Sequence, residues 1–172
     1  MTFDTTWFFS LYSLSGKSIS LDALIILFAE YIPYLLGIVF LVVVALSLRP
    51  LKERLTLLVY GLLSAGIGKF VLVSLIRYAY HRPRPFIEYN FIPLIQESSY
   101  SFPSGHATFF FALSTAMYIY NRKWGVVFLL VSALIAGARV IAGVHYPLDV
   151  VAGALLGFLV AFLITPRTIT ES

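Results

Sequence analysis

Three histidines, an aspartate and four arginines fall in three short polar stretches of an otherwise apolar chain. The stretches are RYAYHRPRPF (residues 77–86), PSGH (103–106) and ARVIAGVHYPLD (138–149). Arg77, Arg84 and Arg139 offer planar, permanently charged forks that match phosphate oxygens. Ser104 and Gly105 are expected at a helix start. Free backbone N–H groups and the positive end of the helix dipole favour an anion there, and glycine lets the backbone come close. His106 and His145 can divide nucleophile and acid–base roles near neutral pH. Asp149 lies four residues after His145, so a helix starting at HYPLD lets the carboxylate reach one ring nitrogen and fix the tautomer. Asp149 is the only carboxylate in the three stretches, so no metal or other cofactor is expected. Taken singly, RPRP reads as a stiff loop, PSG as a capped helix start and a lone histidine as an interfacial residue. Together they point to phosphoryl chemistry stabilised by arginines.

Positioning these residues falls to membrane helices. The chain of 172 residues is 60% hydrophobic and 12% charged, whereas a soluble domain is about half apolar and a quarter charged. Apolar runs predict five spans, over about 19–48, 55–80, 104–120, 124–144 and 147–164. The expected fold is all-α: a polytopic membrane helical bundle with five full spans plus an N-terminal amphipathic or partial sixth helix. Residues 1–172 are expected to form a single integral-membrane domain. The opening MTFDTTWFFSLYSLSGKS lacks the basic region and cleavage site of a signal peptide, and Trp7, Phe8 and Phe9 read as an interface anchor. There is no cysteine, which excludes disulfides and thiolate metal sites. The net charge of +4 is scattered over short loops, so no nucleic-acid partner is expected. The oligomeric state is left open.

Arg49, Lys52 and Arg54, then Arg122 and Lys123, then Arg167 share one side if each span crosses once, and the positive-inside rule makes that side cytoplasmic. All three polar stretches then meet on the outer side. Arg82 and Arg84 are also on that side, against the charge asymmetry, and need a separate reason. Glu30 and Lys69 fall inside the first two spans, where unpaired charge is costly, so they are expected to pair or to line a polar pocket.

The three stretches resemble the type 2 phosphatidic acid phosphatase superfamily, whose pattern is Lys-x6-Arg-Pro, Pro-Ser-Gly-His and Ser-Arg-x5-His-x3-Asp. PSGH matches in full, as do Arg84-Pro85 and the spacing of Arg139, His145 and Asp149. Arg77 stands where the family has Lys, and Ala138 where it has Ser. The resemblance implies that His145 is the nucleophile and forms a phosphohistidine, that Asp149 orients it, and that His106 protonates the leaving oxygen and later activates water. Arg77, Arg84, Arg139 and the backbone at Ser104 and Gly105 would hold the phosphate, without a divalent metal. SLDALIILFAEYIPY (20–34), HRPRPF and SFPSGH are further similar to bacterial undecaprenyl-diphosphatases of the bacitracin-resistance type. That implies a lipid phosphate substrate, undecaprenyl diphosphate, in the bilayer of the bacterial inner membrane, with the site on the outer face. Phosphatidylglycerophosphate, phosphatidate and lipid A phosphatases carry the same motifs, a phosphotransferase would use the same phosphohistidine, and a non-catalytic transporter or binding protein for lipid diphosphates would work without His145. A vanadate-dependent peroxidase is disfavoured by the apolar spans.

Overall fold

The computed structural model describes residues 3–166, and Arg167 lies outside them. In chain order the helices are α1 (Phe3–Tyr12), α2 (Ile19–Leu46), α3 (Leu51–Ala79), α4 (Pro85–Glu88), α5 (Gly105–Tyr120), α6 (Arg122–Ile141) and α7 (Pro147–Ile164). Among the described residues there is no strand. Four helices, α2, α3, α6 and α7, are long and apolar enough to cross a membrane. The expected fifth span is α5. Its 16 residues rise about 24 Å at ~1.5 Å each, short of a bilayer core of ~30 Å. It runs through the centre of the bundle from PSGH at one end to Tyr120 at the other, with eleven buried residues, and it packs against α3, α6 and α7.

Local chemistry sets the helix ends. Ser104 Oγ accepts from the Ala107 N–H at 3.4 Å and starts α5. Asn121 Oδ1 accepts from the Trp124 N–H at 3.1 Å and starts α6, so Arg122 and Lys123 fall in its first turn rather than in a loop. Gly143, at φ +86°, supplies the left-handed turn that ends α6. The chain then turns through His145 into α7, whose first position is Pro147.

Close approach of α7 to α5 depends on GALLG, residues 153–157. A Cβ on Gly153 would meet the Ser104 carbonyl oxygen at 2.5 Å, and one on Gly157 the Thr108 carbonyl oxygen at 2.4 Å. Small residues four apart let two helix backbones touch where lipid offers no hydrophobic drive. The Ser104 N–H then donates to the Asp149 carbonyl at 2.9 Å, fixing PSGH against the start of α7.

Both long hairpin helices widen into π-turns, α2 over Leu27–Tyr31 and α3 over Ile67–Leu72. In α2 the cause is Pro33, which lacks an N–H and crowds the carbonyl four residues back, that of Ala29. The freed oxygen accepts from Arg139 Nη1 at 2.9 Å.

At the far end, Ser47 Oγ and Tyr120 Oη are 2.7 Å apart, and Arg49 lies over the Tyr120 ring, 5.2 Å from its centroid. The α2–α3 and α5–α6 connections therefore share one end, opposite PSGH. The α1 helix is not a simple interface anchor. Trp7 is exposed, but Phe8 is fully buried against Val140 and Tyr146, and Phe9 packs edge-on to Tyr89.

Candidate active site

His145 and Asp149 meet at the corner between α6 and α7, and both are buried. His145 Nδ1 faces Asp149 Oδ2 at 3.5 Å without closing a hydrogen bond. Asp149 is held from every side. It accepts from Arg82 Nη1 at 2.7 Å, from the Tyr146 N–H at 2.8 Å and from Ser101 Oγ. The Tyr146 contact also caps α7, so one carboxylate both starts the helix and orients the ring. The other ring nitrogen, Nε2, stands 3.3 Å from Arg84 Nη1. A guanidinium only donates, so this contact leaves Nε2 with its lone pair and the proton on Nδ1, towards Asp149. Burial, aided by the charges of Arg84 and Arg139, pushes His145 down to about 4 against the pull of Asp149. The ring is neutral at pH 7.

The three arginines converge on this corner from different elements. Arg84 is buried. It donates to the Val144 carbonyl at 2.8 Å and to the Ser99 carbonyl at 2.6 Å; burial lowers it to about 10, so it stays charged. Arg77 reaches Ser99 Oγ and the Pro103 carbonyl, each at 2.9 Å. The residue standing for the family Lys therefore lies beside PSGH. Arg139 bonds Ala29 as described and also Glu97. Arg77 Nε and Arg139 Nε are buried donors without an acceptor, a condition that costs about 1–3 kcal/mol each and that phosphate oxygens would relieve.

Glu97 is the residue the sequence reading missed. It lies in the irregular segment before PSGH, where no periodicity marks it. Its carboxylate takes Arg139 and, at 3.4 Å, Arg84 Nη2, and stands 3.9 Å from His106 Nδ1. Burial would raise its pKa, but Arg139, Arg84 and His145 hold it below the usual carboxylate range. Three arginines against this one carboxylate leave two positive charges, which suits a phosphate dianion. A phosphate that engages both Arg84 and Arg139 must displace Glu97.

Arg82 and Asp4 were also missed as parts of the site. Arg82 bridges Asp149 and Asp4, the second at 2.6 Å, and stacks over the Tyr146 ring with its guanidinium carbon 4.0 Å from the centroid. Asp4 accepts from the Leu148 N–H at 2.9 Å, and Tyr146 Oη donates to Glu88 at 2.6 Å. Helix α1 is thereby clamped to the corner that holds His145 and Asp149, and an arginine at the end of the bundle where the charge asymmetry did not expect it is accounted for.

Two expectations change. The Ser104 N–H is not free for an anion, because it donates to Asp149 and the hydroxyl caps α5; Gly105 is the first residue of α5. Glu30 and Lys69 form no ion pair. The two π-turns carry them, and Glu30 is exposed while Lys69 turns into a groove shared with His106. Among the described residues no group of three or more His, Asp or Glu side chains could hold a metal ion.

The model of the PAP2 superfamily matches residues 54–170. The bacitracin transport permease protein BcrC of Bacillus licheniformis is 34% identical over 152 residues, which covers 87% of this chain and 73% of that protein. The undecaprenyl-diphosphatase BcrC of Bacillus subtilis is 30% identical over 157 residues, covering 91% and 79%. The crystal structure of Aquifex aeolicus LpxE shares the fold, with a TM-score of 0.75 over 95% of this chain and 94% of that one, at 24% identity.

Proposed function

This chain belongs to the PAP2 superfamily and is a multi-pass membrane phosphatase, and we propose that it cleaves undecaprenyl diphosphate to undecaprenyl phosphate and phosphate through a phosphohistidine on His145. The observation that carries the mechanism is the placement of His145, with Nδ1 turned to Asp149 and Nε2 beside the Arg84 fork. In this reading Nε2 attacks the terminal phosphorus while the bond from that phosphorus to the bridging oxygen breaks. His106 gives the leaving oxygen its proton, and Asp149 stabilises the ring as it gains charge. His106 then takes a proton from water, whose oxygen attacks the phosphohistidine and breaks the N–P bond. Arg77, Arg84 and Arg139 stay on the transferring group throughout.

The similarity to an undecaprenyl-diphosphatase along most of both chains supports the lipid. The outer face of the bacterial inner membrane is supported by Arg49, Lys52, Arg54, Arg122 and Lys123, which gather at the end opposite the site. The arginines at the site end have partners there and do not act as topological signals.

The test is phosphate release by detergent-purified protein in EDTA, with wild type and His145→Ala. The panel is undecaprenyl diphosphate, phosphatidylglycerophosphate, phosphatidate and lipid A. Release that is fastest from undecaprenyl diphosphate and absent in the variant is expected. Faster release from another lipid would replace the substrate, and label passing to an acceptor instead of water would make the protein a phosphotransferase.

A further inference from the structure

Lys69 has no place in the mechanism above, yet it lies next to it. It is half-buried in the π-turn of α3 and forms no ion pair among the described residues. Its stem runs against the first residue of α5: a Cβ built on Gly105 would stand 3.6 Å from Lys69 Cγ and 3.9 Å from Cε. Its ammonium lies over two aromatic faces, 5.4 Å from the Phe70 centroid and 5.7 Å from that of Phe109. Phe109 lies three residues after His106, on the same face of α5.

Lys69 and His106 open into one groove of about 460 Å³, whose wall includes Tyr34, Ile38, Leu62 and Leu113. Tyr34, Ile38 and Phe70 are exposed on the apolar outside of helices α2 and α3, so the groove is open to lipid. An unpaired ammonium at membrane depth is costly, and such residues mark binding paths. A π-turn is a common way to aim a functional side chain out of the regular helix face.

We propose that Lys69 holds the inner phosphate of a lipid diphosphate whose chain lies in this groove, and so sets the preference for diphosphates over monophosphates. The proposal rests on the diphosphate reading given above. When His145 attacks the terminal phosphorus, the leaving group of a diphosphate is a lipid phosphate that gains negative charge as its bridging oxygen departs. The proton from His106 neutralises part of that charge, and an ammonium beside the inner phosphate offsets more of it in the transition state than in the ground state. A lipid monophosphate releases its lipid as an alcohol, carries no inner phosphate, and presents nothing for Lys69 to hold. The arginines serve the terminal phosphoryl group of both classes alike.

The experiment compares kcat/KM for undecaprenyl diphosphate and undecaprenyl phosphate, which share one tail, in wild type, Lys69→Met and Lys69→Arg. Methionine keeps the stem and removes the charge. The expected result is a fall of about ten-fold or more in the diphosphate-to-monophosphate ratio in Lys69→Met, with recovery of most of it in Lys69→Arg. An unchanged ratio in Lys69→Met overturns the proposal, whether the absolute rates hold or fall together. Wild-type protein that turns over phosphate monoesters but not undecaprenyl diphosphate removes the diphosphate reading itself, and this assignment of Lys69 with it. A shift confined to one variant with wild-type diphosphate turnover intact bears on Lys69 alone.

Discussion

Glu97 sits where phosphate oxygens are expected, and replacing it by Gln tests that placement. Its carboxylate binds Arg139 and Arg84 and is about a quarter exposed. Hydrogen bonds to charged groups contribute about 1.5–3 kcal/mol net. An anion that takes over these arginines must release the carboxylate and move its charge. Glutamine keeps the shape and one accepting oxygen but lacks that charge. If one such charged contact is the difference, the variant should bind a phosphate-like anion tighter by about 1.5–3 kcal/mol, or about ten-fold to a hundred-fold. The assay is the competitive inhibition constant of orthovanadate, checked by calorimetric titration of inorganic phosphate. A second reading follows from the same geometry. With Arg77, Arg84 and Arg139 left facing one another, Glu97→Gln should unfold at lower temperature than wild type, and added phosphate should recover the difference. The reasoning is refuted if vanadate binds the variant no better than wild type. Slower turnover together with unchanged vanadate affinity would mean that Glu97 serves to position His106, from which it stands 3.9 Å.

Arg82→Ala should leave Asp149 and Asp4 buried without their counter-charge, costing about 3–5 kcal/mol in thermal unfolding and lowering kcat more than it raises KM. Asp4→Ala should lower stability with a smaller loss of kcat, and the double variant should show the two costs to be non-additive. His145 has its pKa lowered to about 4 from an ordinary 6.5, so the unfolded chain binds the proton first as pH falls. Its contribution to stability is full above pH 6.5 and is lost between pH 6.5 and about 4; the fall in melting temperature over that window should be shallower in His145→Gln. Gly157→Ala should destabilise by about 1–3 kcal/mol, because its Cβ meets the Thr108 carbonyl oxygen at 2.4 Å. Gly137→Ala in α6 has open space and should be neutral or stabilising by a few tenths of a kcal/mol up to about 1, a control read in the same melts.

What was legible in the sequence depended on how near in the chain the partners lie. Arg139, His145 and Asp149 occupy one helix–turn–helix corner, so their spacing alone fixes which side chains can meet, and the structure places them together. PSGH carries its own helix start and its contact with that corner. The bundle's composition and apolar runs predicted the α2, α3, α6 and α7 spans within a few residues. Hydropathy says less about the surroundings of α5, because apolar residues that face other helices look like those that face lipid. Its small residues and the facing GALLG of α7 carry the distinction, since backbones approach this closely only inside a bundle. Arg82, Glu97 and Asp4 were beyond reach for a different reason. Arg82 meets Asp4 across 78 positions and Asp149 across 67, and Glu97 meets Arg139 across 42, all from segments without a period. Pro33 lies between these cases. A proline inside a membrane span frees a carbonyl four residues earlier, and lipid cannot satisfy it, so a donor at the depth of Ala29 follows from the sequence. Arg139 is that donor. The proline in the first span therefore frees an acceptor at Ala29 that helps hold an arginine 110 positions after it, and a Pro33→Ala change that closes the π-turn should loosen Arg139 before it loosens the helix.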